Sequence, residues 1–168
     1  MTATIDIRNY KTGIIMDIIH NQKIVDAVDS QSPDYVRGVN DSLLKCNVFP
    51  FLRIPDTQNK ADAYILMSVD ITGMNAGNAT FADMRVTLWV MAHQDRMIME
   101  TENATRTDYI GEELRGMLDG STKYGYGMLE CISSAEHILS EKYQYRELIF
   151  RTVDMKASAN RKAGAFGA

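Results

Sequence analysis

The sequence predicts an α+β sandwich: an antiparallel or mixed sheet of about five strands covered by two or three helices. Three observations predict it. Near the N-terminus, apolar residues recur with the 3.6-residue period of a helix. Two later segments alternate apolar and polar residues with the period of two that marks a half-buried strand. The coarse order is one or two helices, three strands, a helix and two strands, which sorts into helices covering one sheet.

Taken in order, the first helix is expected from Thr12, with Ile14, Ile15, Ile18, Ile19, Val25 and Val28 on its apolar stripe. Ser30-Gln-Ser-Pro33 ends it, because serine and proline favour turns. Residues 34–48 read either as one short helix or as a packed loop. A strand is expected over Val48–Ile54, at an edge or starting after Pro50, because proline donates no ladder hydrogen bond. In the next strand Ala63, Ile65, Met67, Val69 and Ile71 share a face opposite Tyr64, Leu66, Ser68, Asp70 and Thr72. The strand from Phe81 to His93 sets Ala82, Met84, Val86, Leu88, Val90 and Ala92 against Asp83, Arg85, Thr87 and Trp89. Two glycines and two asparagines in Gly73–Ala79 make a hairpin loop between them.

Gln94–Arg106 shows no period and reads as a long loop, in which Met97, Ile98 and Met99 form an exposed apolar trio that a partner covers. The second helix takes Thr105 or Thr107 as N-cap, Asp108 at its positive end, and Gly120 just past its C-terminus. The last two strands are expected over Met128–Ser133 and Tyr143–Asp154, joined by a linker holding Ile138 and Leu139. In the latter strand Tyr143, Tyr145, Ile149 and Val153 face one way and Leu148 and Phe150 the other, with Arg146 and Arg151 interleaved. Such a strand suits either base stacking or a subunit interface. The net charge of −4 favours the interface, since phosphate-gripping domains usually carry a basic face.

A chain of 168 residues is one domain. We expect that domain over residues 1–154 and a flexible basic arm over 155–168, with Lys156, Arg161 and Lys162 as its cations and Phe166 as the anchor of a docked state. Hydrophobic residues at 45% and charged residues at 24% exclude wholesale disorder and collagen. Apolar runs of no more than about five residues exclude a helical membrane span, and no secretory signal is expected. Eleven methionines are many for this length and suit adaptable buried surfaces.

Catalytic and metal motifs are not expected. His20, His93 and His137 match no zinc spacing, and Cys46 and Cys131 read as reduced core thiols. Gly116–Lys123 lacks the order of a phosphate-binding loop, and Glu112-Glu113 point about 100° apart on a helix. No cofactor is expected.

Three phrases carry a resemblance. Thr107-Asp-Tyr-Ile-Gly-Glu-Glu-Leu-Arg-Gly-Met-Leu-Asp-Gly120, Gly127-Met-Leu-Glu-Cys-Ile-Ser-Ser134 and Tyr145-Arg-Glu-Leu-Ile-Phe-Arg-Thr-Val-Asp154 follow Val86-Thr-Leu-Trp-Val-Met-Ala-His-Gln-Asp95. Together they resemble the tail terminator and tail-completion (head-tail joining) proteins of long-tailed bacteriophages, over roughly residues 12–154. The resemblance implies a non-enzymatic structural protein of the virion tail or neck, assembled in the host cytoplasm. It implies a ring, commonly a homohexamer, with the tail tube protein, neck and connector proteins, and the sheath of a contractile tail as partners. It further implies that genomic DNA passes through the lumen without specific binding and that no membrane is involved. The candidate interface residues are Met97, Ile98, Met99, Tyr143, Tyr145, Arg146, Arg151 and Phe166. Other neck rings share the expected fold, and a small cytosolic α+β enzyme or ligand-binding domain is the remaining alternative.

Overall fold

One sheet organises the chain. The computed structural model describes residues 6–54, 60–73 and 80–155. Its strands are β1 (Val48–Phe49), β2 (Ala63–Gly73), β3 (Phe81–His93), β4 (Ile98–Met99), β5 (Ala104–Thr105), β6 (Glu130–Ile138) and β7 (Tyr143–Met155). Five of them form a sheet in the order β1-β2-β3-β7-β6, and β4 with β5 makes a separate hairpin. β2, β3, β7 and β6 pair antiparallel, while the short β1 lies parallel to β2. The two best-alternating segments of the sequence, β2 and β3, are thus adjacent, and β3 sits at the centre of the sheet.

Three helices, α1 (Ile7–His20), α2 (Gln22–Val28) and α3 (Arg106–Leu118), cover one face. Their stripes, including Ile14, Ile18, Ile19, Ile24, Val28, Ile110 and Leu114, pack on Ile65, Met67, Met84, Val86, Leu88, Val90, Leu148 and Phe150 in a single core. This is the expected α+β fold.

Several element boundaries differ from the sequence reading. The first helix begins at Ile7, not Thr12, because the Asp6 carboxylate caps it by accepting from the Arg8 N–H at 2.9 Å. It is also two helices. Asn21 is extended, and its Oδ1 accepts from the N–H groups of Lys23 and Ile24, restarting the helix. The apolar stripe continues through the break because both pieces bury the same side, so periodicity alone does not register it. Residues 34–48 hold a 3₁₀ turn at Asn40–Lys45. β1 stops before Pro50 instead of starting after it, and Phe51, Leu52 and Ile54 are exposed.

The segment 94–106 is an ordered structure and not a long loop. A 3₁₀ turn at Gln94–Arg96 leads into the β4–β5 hairpin, closed with Asn103 in the left-handed region at φ 49°. Its anchor is Arg106, which is 7% exposed and donates to the carbonyls of Ala27 and Arg96. Arg96 in turn bridges Asp29 at 2.5 Å and Asp62 at 3.3 Å, so the end of α2 is tied to the start of α3. Burial, with Arg96 beside it, pulls the Arg106 guanidinium below its ordinary value. Thr105 is the N-cap of α3, and Gly120 takes φ 81° just beyond its end.

β6 is longer than expected and carries a bulge between Cys131 and Ser133; Ile138 belongs to it and not to a linker. The segment 124–127 lies against the sheet. A Cβ on Gly125 would fall 1.7 Å from the Tyr10 Oη, and one on Gly127 would fall 2.4 Å from the Val153 carbonyl. Beneath Gly125, the buried Tyr10 hydroxyl donates to Asp154 at 2.6 Å. Most of the expected 73–79 hairpin loop and the basic arm from Lys156 lie outside the described residues.

Candidate interaction surface

Among the described residues, the helices cover one side of the sheet and no helix covers the other. Register places the residues of this open side in rows across the strands. The first row is Asp70, Arg85, Arg151 and Glu130, and the second is Ser68, Thr87, Ile149 and Ser133. The third is Phe49, Leu66, Trp89, Glu147 and Ala135, and the fourth is Tyr64, Met91, Tyr145 and His137. One end of the face is therefore charged and the other aromatic.

The charged end has its acids on the outside and its arginines in the middle. Arg151 donates to Glu130 at 2.7 Å, and both are well exposed. Exposed pairs of this kind stabilise a fold by little, about 0–1 kcal/mol.

At the aromatic end, Phe49, Tyr64, Leu66, Met91 and Tyr143 form a second buried cluster, flanked by Trp89 and Tyr145. His93 meets Tyr143 edge-on, and His137 stacks on Tyr145 with centroids 5.0 Å apart. The Trp89 indole N–H donates to Glu147 at 2.9 Å, which orients the ring on the sheet. Burial, reinforced by neighbouring Tyr143, raises the Tyr64 hydroxyl above its ordinary range, so it stays protonated. Above this cluster lies a groove of about 320 Å³, lined by Leu52, Arg53, Ile54, Leu66, Trp89, Met91, Leu139 and Tyr145. Ile54 on one lip is 80% exposed. An apolar cleft with few polar groups recognises a side chain by shape and desolvation.

The structure brings some of the expected interface residues to this face and not others. Tyr145 lines the aromatic end and Arg151 lies at the charged end, whereas Tyr143 is 0% exposed, buried beneath the aromatic end with its hydroxyl donating to the Lys60 carbonyl, and offers no surface to a partner. Arg146 points to the helix side and is held within the fold: its guanidinium donates to Asp108 at 2.5 and 2.9 Å and to Glu136 at 3.1 Å. Burial works against the Asp108 charge, but Thr105 and Arg146 outweigh it and hold the carboxyl below the usual range. The trio at 97–99 is not uniformly exposed. Ile98 is 69% exposed, whereas Met99 packs against the core and Met97 receives the Thr107 hydroxyl on its sulfur. Phe166 lies outside the described residues.

The sequence alone did not mark Leu52, Ile54, Leu66, Trp89 and Leu139 as the lining of one groove. A signal existed in β2: Tyr64 and Leu66 share a face with Ser68, Asp70 and Thr72, an apolar half on an otherwise polar side. The histidines are scattered. His20 ends α1, His93 ends β3, and His137 is in β6 and not in a linker. Glu112 pairs with Arg115 and Glu113 with Lys23, each on its own. Both cysteines are free thiols; Cys46 is buried, which raises it above the ordinary thiol value. Among the described residues, no group of three or more His, Cys, Asp or Glu side chains could hold a metal ion. No described helix is long and apolar enough to cross a membrane.

A family model described as YomW matches residues 16–152, from within α1 into β7. No curated protein matches the chain.

Proposed function

The chain belongs to the YomW family, which is phage-related, and on that premise we propose that it is a structural protein of the virion: a tail terminator that closes into a ring, caps the tail tube and joins it to the neck. The observation that carries this reading is the apolar groove on the open sheet face, whose rim exposes Leu52, Ile54 and Leu139. Soluble monomers rarely leave large contiguous apolar patches in water, and such patches are where partners dock. The three phrases that resemble tail terminator and tail-completion proteins fall on α3, around the start of β6 and on β7, which supports a ring of the tail or neck. In this role the residues act by shape. Ring closure sets a diameter, one rim matches the tube and the other matches the neck. A chain of net charge −4 gives an anionic ring, past which DNA slides without being held.

The test is direct. Purified protein is examined by sedimentation and negative-stain microscopy, alone and with tail tubes. Rings, free or seated on tube ends, are the expected result. A monomer at every concentration that also leaves tube ends bare would remove the proposal.

A further inference from the structure

We propose that the groove over Trp89 is the receptor for the C-terminal segment 156–168 of an adjacent copy of this chain, with Phe166 as the side chain that fills it. This rests on the reading above that the chain self-associates, and it names the contact.

The argument is one of placement, reach and charge. β7 starts at the groove, with Tyr143 and Tyr145, and carries the chain away from it. Met155, paired with Phe81, lies ten residues from Tyr145, about 32–34 Å along the strand. Groove and outgoing segment are thus at opposite ends of one sheet. That is the layout of a head-to-tail contact, in which each copy donates at one end and accepts at the other, and a head-to-tail contact forms a ring when the rotation between copies closes.

Reach speaks against the chain's own groove. Phe166 is eleven residues beyond Met155, at most about 36–40 Å when extended. Turning back over the face takes a reversal of about four residues, which leaves about seven, or about 23–25 Å. Trp89 and Tyr145 lie eight and ten residues back along the sheet, about 26–34 Å away. The returning path would also carry Arg161 and Lys162 over Arg85 and Arg151, the paired arginines in the middle of the charged row. A neighbour's segment meets neither obstacle.

The groove suits the occupant. Its volume of about 320 Å³ is at the small end for a ligand site and matches one aromatic side chain with its adjoining backbone. Phe166 is flanked by Gly and Ala, so nothing bulky hinders its entry. Glu141, two residues past Leu139 on the lip, makes no ion pair among the described residues and is exposed, an anion for Arg161 or Lys162 of the donor, while the lining cation Arg53 lies over the Phe49 ring at 4.9 Å.

Trp89 is the only tryptophan in the chain, so its emission reports the groove. Full-length protein is diluted through its association range while emission and sedimentation are recorded. Two variants are compared: Phe166→Ala, which empties the donor, and Ile54→Asp with Leu139→Asp, which spoils the acceptor at exposed lip positions. We expect the wild-type emission to shift to the blue as copies associate, less so at high salt. Each variant should associate at least about tenfold more weakly, with native melting. Mixed together, the two variants should form one-to-one pairs, since one retains the groove and the other the segment. Association of Phe166→Ala equal to wild type overturns the proposal and leaves the ring reading standing. An emission shift that depends on Phe166 but not on concentration also overturns it, because the segment then fills its own groove. A wild type that never associates and never seats on tail tubes removes the ring reading and this contact together.

Discussion

The two faces of β3 show what a sheet does with its alternation. Met84, Val86, Leu88 and Val90 point to the helices and are 0% exposed, while Arg85 between them is in water and Trp89 lines an open groove. The same strand, with the same backbone pairing, thus has one face whose contacts are complete within the monomer and one whose contacts are not. The covered face holds the fold together. The open face holds a smaller buried cluster at its aromatic end, Phe49, Tyr64, Leu66, Met91 and Tyr143, and elsewhere its exposed positions, such as Arg151 and Val153, contribute little to the monomer's stability.

The sharpest way to test that difference uses one strand. Phe150 faces the helices and Val153 the open side of β7. Phe150→Ala is expected to cost about 3–5 kcal/mol in urea unfolding, by lost burial and the cavity left behind. Val153→Ala, at 41% exposure, should cost less than about 0.5 kcal/mol. Equal losses would mean that the open face is covered within the monomer, and the comparison would fail.

Next in size is Gly125→Ala. The added methyl would meet the Tyr10 hydroxyl and fall 2.6 Å from Asp154 Oδ2, so the 124–127 segment has to lift from the sheet. A loss of about 1–3 kcal/mol, seen as a lowered melting temperature, is expected for such overpacking. An unchanged melting temperature would show that the segment is not held there.

Smaller is the effect of Asp108, which joins α3 to β7 through Arg146. Its folded pKa lies below the unfolded value near 3.8. Its contribution is therefore present above that value and is lost as pH falls through the folded pKa, because the unfolded chain then binds more protons. Asp17, held low against its burial by Lys123 and Tyr124, behaves with the same sign. Asp108→Asn is expected to cost about 1 kcal/mol at neutral pH, as for a partly exposed pair, and to flatten the fall in stability below about pH 4. A parallel pH profile in the variant would remove Asp108 as a source of that fall.

The smallest effect on folding is expected at Ile98→Ser, at the base of the β4–β5 hairpin. Its side chain is exposed, so the change in unfolding free energy should stay within about 0.5 kcal/mol. A larger loss would place Ile98 among the residues that hold the fold.

How much of this was legible beforehand differs by element. The face assignments of β2, β3 and β7 followed from alternation, because a strand's period of two survives any tertiary context that covers one side. The cap at Thr105 and the turn at Gly120 were legible because both are local backbone requirements. The break at Asn21 was not, since α1 and α2 bury the same side. Nor was the hairpin in 94–106, because its order comes from Arg106 and Arg96 reaching Ala27, Asp29 and Asp62 across the fold. The aromatic groove was half-legible: Tyr145 stood out by type, whereas Leu52, Ile54 and Leu139 come from the segments that follow β1 and β6.

By itself, then, the sequence determines the class of fold, the helical stripes and which residues of each long strand share a side. These follow from periodicity, a property of neighbours along the chain. Only the tertiary structure decides that β7 lies between β3 and β6, that the described helices all lie on one side, and that Trp89 is framed by residues far from it in sequence. Those outcomes depend on which strands pair and which side receives a layer. The energies that choose among them arise from contacts between segments, and no single segment carries them.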